Sequence, residues 1–149
     1  MATAAEQPPP TLLYVVKQVE LAIRAHLDEV LRPAGLTSTQ YTALTVLERH
    51  PDLTSAQLAR NSFVTSQSMA DMVTALEGQG LIKRKRDVSD RRRLVLSLTA
   101  DGRRVLRRYR SKVAEVEEQM VSELGPRRTA ELRRSLLACR NALADEPAH

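Results

Sequence analysis

The residues best equipped for chemistry lie together in one stretch, Gly80–Gly102, which reads GLIKRKRDVSDRRRLVLSLTADG. Two apolar runs, Leu81–Ile82 and Leu94–Leu98, flank a loop that carries Arg91, Arg92 and Arg93 beside Asp87, Ser89 and Asp90. Leu94, Leu96 and Leu98 recur at every second position, the period of a strand with one buried face, so the stretch is predicted to form a hairpin. Its arginines have no apolar company and must project into water. Guanidinium groups held out on a stiff hairpin suit a polyanion, and the polyanion expected is nucleic acid.

Other chemistries lack their residues. The sequence has no Gly-rich phosphate loop, no nucleophile elbow and no carboxylate cluster, so an enzyme is not expected. His26, His50 and His149 stand at no metal-ligand spacing and no cysteine joins them, so neither a metal nor another cofactor is expected. Cys139 is the single cysteine, which excludes an intramolecular disulfide and fits a reducing compartment.

Charge is focused in the same region. The chain of 149 residues carries a net charge of +5, yet Lys83–Arg110 holds 12 basic residues against 3 acidic ones. The remainder holds 11 basic against 15 acidic. Such a patch is the electrostatic footprint of a DNA-binding protein, or of one that sits on an anionic membrane. The four aromatic residues, Tyr14, Tyr41, Phe63 and Tyr109, are too few for the ring platforms that single-strand binders use. No apolar stretch approaches the roughly 20 residues that span a bilayer. The opening MATAAEQPPP has neither a basic start nor an apolar run, so it is expected to be a flexible tail, residues 1–10, and the protein cytoplasmic.

The hairpin must be positioned by helices. Leu12, Val16, Val19, Ile23, Leu27 and Val30 recur at steps of three and four, which predicts an amphipathic helix ended by Pro33 and Gly35. Leu13, Val15 and Leu21 lie off that stripe, giving this helix more apolar surface than one packing face requires. A second helix is predicted from about Thr39 to Arg49, with Tyr41, Leu44 and Leu47 inward, broken by His50-Pro51-Asp52. Thr54-Ser55-Ala56-Gln57 is a capping box opening a short helix with Leu58 and Ala59. Thr65 caps the next, whose inward face is Met69, Met72, Val73 and Leu76, with Gly78 and Gly80 at its end. Two short helices around a tight turn make a helix-turn-helix. After the hairpin, Thr99 caps a long helix in which Leu106, Tyr109, Val113, Val116 and Met120 approach a heptad seam. Gly125-Pro126 interrupts it, and a last helix carries Leu132, Leu136, Cys139 and Leu143 on one stripe.

A helix-turn-helix followed by a two-stranded hairpin is a winged helix. Asp87-x-x-Asp90-Arg91-Arg92, five residues, then Leu98-Thr99-x-x-Gly102 closely resembles the wing of the MarR family of transcriptional regulators. The likeness extends to Gly35-Leu36-Thr37, to Leu58-Ala59 and to Leu76-Glu77-x-x-Gly80-Leu81-Ile82, in the same element order from about Leu12 to Leu143. The fold class it implies is mainly α with a small β-hairpin wing. The winged helix-turn-helix lobe would span residues 36–99, and residues 11–34 and 100–146 a helical dimerisation region.

The resemblance also implies roles. It implies a homodimer that binds a palindromic double-stranded operator as a ligand-responsive repressor. Arg92 would be the wing-tip arginine in the minor groove, with Asp90 pinning it through a bidentate pair. Lys83, Arg84, Lys85, Arg86, Arg91 and Arg93 are candidates for phosphate contacts, although strand alternation forbids all four strand residues from touching DNA at once. Thr65, Ser66 and Ser68 would lie nearest the major groove. Gln67 is the best candidate for reading adenine, and Thr74 shares the outward face. Asp71 is expected to be structural, Ser55 and Gln57 to be caps, and Met69 and Met72 to be core filler. A small organic effector is implied where the dimerisation helices meet the lobe, with Tyr14, Lys17, Arg24, His26 and Tyr41 as candidate lining residues. Cys139 is expected to be a buried structural thiol. Two alternatives stand beside this reading: an architectural DNA binder with little sequence preference, since the recognition helix has no Lys or Arg, and a redox-responsive regulator acting through Cys139.

Overall fold

The structure, a computed structural model, describes residues 7–144. Residues 7–10 of the expected tail carry no helix or strand; the rest of that tail, His149 and the last residues of the expected dimerisation region lie outside the described residues. Helix α1 covers Leu12–Leu31, with the Thr11 hydroxyl accepting the Tyr14 amide. A 3-10 turn, Arg32–Ala34, begins with Pro33 near its start and ends on Gly35 at φ +69°, a left-handed position that glycine adopts without penalty. Helix α2, Ser38–Arg49, opens on a reciprocal capping box between Thr37 and Gln40. Its start lies one residue earlier than expected, because Thr37 supplies the cap.

Helix α3, Ser55–Asn61, has the expected capping box of Thr54 and Gln57, each side chain bonding the other's amide. Helix α4, Ser66–Gly78, is capped by Thr65. Strands β1, Ile82–Arg86, and β2, Leu94–Leu98, pair antiparallel in the register Ile82↔Leu98 to Arg86↔Leu94. Helices α5, Ala100–Met120, and α6, Gly125–Leu143, complete the chain.

The chain divides into two compact units after Val113. The first holds the core, in which Leu31, Leu44, Leu47, Leu58, Met69, Leu76 and Leu106 are fully buried. The inward face of α4 is Met69, Val73 and Leu76, with Met72 half-buried against them. The core is aliphatic, apart from Tyr41 and Tyr109.

Strand β2 departs from the one-face expectation. Leu96 and Leu98 are buried, but so are Val95 and Ser97 on the opposite face, while Leu94 is half exposed. A third segment pairs with the strand: Leu53 bridges to Leu96, and the Leu96 amide donates to the Leu53 carbonyl at 2.8 Å. The residues before α3 thus flank β2 opposite β1.

The Leu98-Thr99-x-x-Gly102 pattern has a mechanical explanation. The Thr99 hydroxyl donates to the Gly80 carbonyl at 2.6 Å and accepts the Gly102 amide at 3.1 Å, while the Thr99 amide donates to the Leu81 carbonyl. A Cβ at Gly102 would overlap that Leu81 carbonyl oxygen. The first turn of α5 is therefore clamped onto the turn between α4 and β1, which fixes the hairpin's root.

In the second unit no residue of α6 is buried. Leu132 is half-buried, Leu136, Leu137 and Leu143 are exposed, and so is Cys139. The expectation of a buried thiol is corrected: among the described residues of this one chain, nothing buries Cys139 or its neighbours on α6.

Candidate nucleic-acid interface

Thr65, Ser66, Gln67, Ala70, Asp71 and Thr74 are all exposed, as the inward stripe of Met69, Val73 and Leu76 requires. Their hydroxyls are not equally free. The Thr65 hydroxyl accepts the Ser68 amide and donates to the Ser68 hydroxyl, and Thr74 donates back to the Ala70 carbonyl at 3.1 Å. Ser66 and Gln67 have no intramolecular side-chain bond among the described residues, which leaves Gln67 with its full amide for an outside partner. Asp71 has no cationic partner among the described residues, so no ion pair accounts for the structural role expected of it.

The hairpin's basic residues divide into anchored and unanchored ones. Arg84 pairs with Glu77 of α4 at 3.4 Å, and Lys85 reaches Asp52 at 2.9 Å on the other side. Asp52 holds φ +67°, a left-handed backbone that Asp tolerates better than most residues. These two pairs brace β1 from opposite faces, in keeping with its alternation. Arg86 donates to the Arg91 carbonyl at 2.9 Å, tying the loop's two ends together. Arg93 leans onto the Gln57 side chain at 3.5 Å, at the start of α3. Lys83, Arg91 and Arg92 have no such anchor among the described residues except the contact of Arg92 with Asp90, and the Arg92 side chain is 94% exposed.

The expected bidentate pair is not present. A single oxygen, Asp90 Oδ1, accepts the Arg92 backbone amide at 3.1 Å and the Arg92 Nε at 3.4 Å. The Asp90 carbonyl also accepts the Arg93 amide, closing a turn. Asp90 is therefore first a turn-former, and the guanidinium stays turned outward. Asp87 does similar work: its carboxylate accepts both the amide and the hydroxyl of Ser89, which hold its pKa below the ordinary carboxylate value. Two Asx-type turns thus stiffen a loop whose one apolar residue, Val88, is itself exposed.

The candidate effector residues do not gather. Tyr41 is buried in the core, where desolvation raises its phenol pKa against the opposing pull of Arg110. Tyr14, Lys17 and His26 are exposed along α1, and His26 Nδ1 lies 2.8 Å from the Ala22 carbonyl oxygen. Of the five, Arg24 lines a cleft of about 290 Å³ formed with Ser38, Thr39 and Thr42 of α2 and with Ser62, Phe63 and Val64 of the α3–α4 turn. Sequence periodicity could not find these turn residues, since a turn has none.

Comparison with known proteins decides the family. The MarR family model matches residues 36–94, from the start of α2 to the start of β2. The HTH-type transcriptional repressor Rv2887 of Mycobacterium tuberculosis is 34% identical over 123 residues, which are 83% of this chain and 88% of that protein. The chain belongs to the MarR family of winged helix-turn-helix transcriptional regulators. Two solved MarR-type structures extend the likeness beyond the lobe. The transcriptional repressor CouR bound to a 23-mer DNA duplex is 32% identical, with a TM-score of 0.74 over 87% of this chain and 91% of that one. The MarR family protein Rv2887 in complex with p-aminosalicylic acid is 31% identical, with a TM-score of 0.72 over 87% and 98%. The MarR wing of the present chain is the hairpin whose root is clamped by Thr99 and Gly102.

Proposed function

We propose that this protein is a homodimeric repressor that binds a palindromic double-stranded operator and is released from it by a small organic molecule. The observation that carries the reading is the wing: a loop held by Asp87, Asp90 and Arg86 so that Arg91 and Arg92 stand in solvent beside an exposed, uncharged recognition face on α4. In this reading Arg92 enters the minor groove, where a narrow groove concentrates negative potential. Lys83, Arg91 and Arg93 bind phosphates, and Gln67 with Ser66 reads base edges. Arg84, Arg86 and Lys85 contribute mainly by positioning the wing, since each already has an intramolecular partner.

Dimerisation is supported by apolar surface that one chain leaves uncovered. Leu12, Leu13 and Leu21 of α1 are more than half exposed. In the second unit Met120, Leu132, Leu136 and Leu137 line an open cleft of about 300 Å³. Surfaces of this kind mark interaction sites. The ligand-responsive part is supported by the relatives, one solved with a DNA duplex and one with an aromatic acid. A regulator of this kind works in the cytoplasm and needs no enzymatic step; no described helix is long and apolar enough to cross a membrane.

The test is fluorescence anisotropy with duplexes from the protein's own upstream region, compared with scrambled duplexes over a range of salt. Arg92→Ala is expected to lose about 1–3 kcal/mol per wing on the specific duplex, with unchanged melting temperature. Equal affinity of wild type for specific and scrambled duplexes would favour an architectural DNA binder instead.

A further inference from the structure

Gln67, Asp71, Thr74 and Gly78 succeed one another along α4 at steps of four, three and four, so they form a single ridge. The ridge lies opposite the buried stripe of Met69, Val73 and Leu76, and every member of it is exposed. Asp71 is its one charged member. The ordinary internal roles of a helical carboxylate do not account for it. Asp71 is the sixth residue of a 13-residue helix, beyond the first turn, where a carboxylate would cap or meet the helix dipole. Its neighbours one turn away are Gln67, Ser68, Thr74 and Ala75, none of them a cation. Its carboxylate makes no hydrogen bond or ion pair among the described residues, whereas Glu77 of the same helix holds Arg84. Asp is also a weaker helix former than Ala at such a position. On a face turned to a polyanion its charge repels every phosphate alike. Two costs with no internal benefit place the use of Asp71 outside the chain.

The ridge sets what Asp71 can reach. Its longest side chain is Gln67, the Thr74 hydroxyl folds back onto the Ala70 carbonyl, and Gly78 has no side chain. Nothing on the ridge therefore holds α4 off the floor of a groove. An ionised carboxylate accepts hydrogen bonds and donates none. In the major groove guanine shows two acceptors, and thymine an acceptor and a methyl group, so both reject it. Adenine sets its amino donor beside the N7 acceptor, which repels a carboxylate. Cytosine shows its N4 amino group as a donor. Asp71 and Gln67 lie four residues apart, about 6 Å along the helix axis. That is roughly two base steps of about 3.4 Å, so the two side chains address bases close together in one half-site.

We propose that Asp71 is a specificity-determining residue that selects a cytosine in each half-site, accepting from its N4 amino group and rejecting the other bases. The inference rests on the regulator reading and deepens it, adding to Gln67 a second base reader that works mainly by exclusion. Selection of this kind lowers affinity for wrong sequences more than it raises affinity for the right one. It also suits the division of charge in this lobe. Lys83, Arg91 and Arg92 attract phosphates whatever the sequence, and the carboxylate on the reading face sets against them a penalty that a suitable base relieves.

The experiment is selection of bound duplexes from a random library by the full-length wild type, Asp71→Asn and Asp71→Ala. Anisotropy on the selected operator, with each base pair changed in turn, follows it. The wild type is expected to recover one cytosine per half-site whose replacement weakens binding about tenfold. Gln67→Ala should relax the motif at a different position, no more than about two base pairs away. Asp71→Asn keeps the shape but sets a donor beside the acceptor, so its preference should move from cytosine to adenine. Asp71→Ala should accept any base there and bind scrambled duplexes about threefold more tightly than the wild type. Asp71 is exposed and has no ion pair among the described residues, so neither variant should lower the melting temperature. A motif from Asp71→Ala that keeps the same cytosine overturns the assignment and leaves the regulator reading intact. So does an Asp71→Asn motif identical to that of the wild type, or weaker binding of scrambled duplexes by both variants. A wild-type pool with no motif overturns the regulator reading and this assignment with it.

Discussion

Asp90 holds Arg92 more closely by its backbone amide, at 3.1 Å, than by its guanidinium, at 3.4 Å, and does both with one oxygen. A carboxylate used this way sets the course of the chain and leaves the arginine head free. Asp90→Asn keeps an oxygen for the amide, so operator affinity should stay within about threefold of wild type. Asp90→Ala removes it and should weaken binding by about 1 kcal/mol, at unchanged helix content. Anisotropy on the two variants checks this. Equal losses from both would mean that the charge, rather than the turn, is what Asp90 supplies.

Gly102→Ala is expected to destabilise the lobe by about 1–3 kcal/mol or more, because the new methyl meets the Leu81 backbone carbonyl rather than a movable side chain. Thermal unfolding measures it. Gly78→Ala, where nothing lies within 4 Å of the added carbon and the backbone is ordinary helix, is the matched control and should be neutral or slightly stabilising.

Leu136→Glu should dissociate the dimer, since an unpaired charge buried in an interface costs about 3–5 kcal/mol. Leu136 lies on the exposed stripe of α6. Sedimentation is expected to show a monomer with its helices retained. Val113→Glu should behave differently: Val113 packs against the lobe core, so the substitution should lower the melting temperature of the lobe itself.

Tyr41 adds a limit at high pH. Burial raises its folded pKa above the ordinary 10.0, so the fold favours the neutral phenol. Its contribution to stability is intact below pH 10 and is lost as pH rises through the folded value. Tyr41→Phe should therefore flatten the loss of stability above about pH 10, as read by urea unfolding at stepped pH.

Most of the fold was legible because its signals are local. Thr54 and Gln57 announce α3 by spacing alone, and the stripe of Met69, Val73 and Leu76 declares which face of α4 is inward. The same spacing at Thr37 and Gln40 was equally readable and marks the start of α2. What depends on distant partners was not legible. The pairing of the second edge of β2 comes from Leu53, and the occupation of Lys85 and Arg84 comes from Asp52 and Glu77 on other segments. Tyr41 looks the same in sequence whether it lines a pocket or fills a core, and the structure puts it in the core. The cleft beside Arg24 is lined in part by Ser62, Phe63 and Val64, turn residues that sequence periodicity does not mark.

The central claim is that two copies of this chain read a specific duplex. Selection of bound fragments from a genomic library tests it most directly. The account predicts an enriched inverted repeat with half-sites about 10 base pairs apart, centre to centre, one of its copies upstream of the protein's own gene. The Arg92→Ala variant should recover the same repeat at reduced yield. A bound pool with no common motif, no different from the input library, would contradict it.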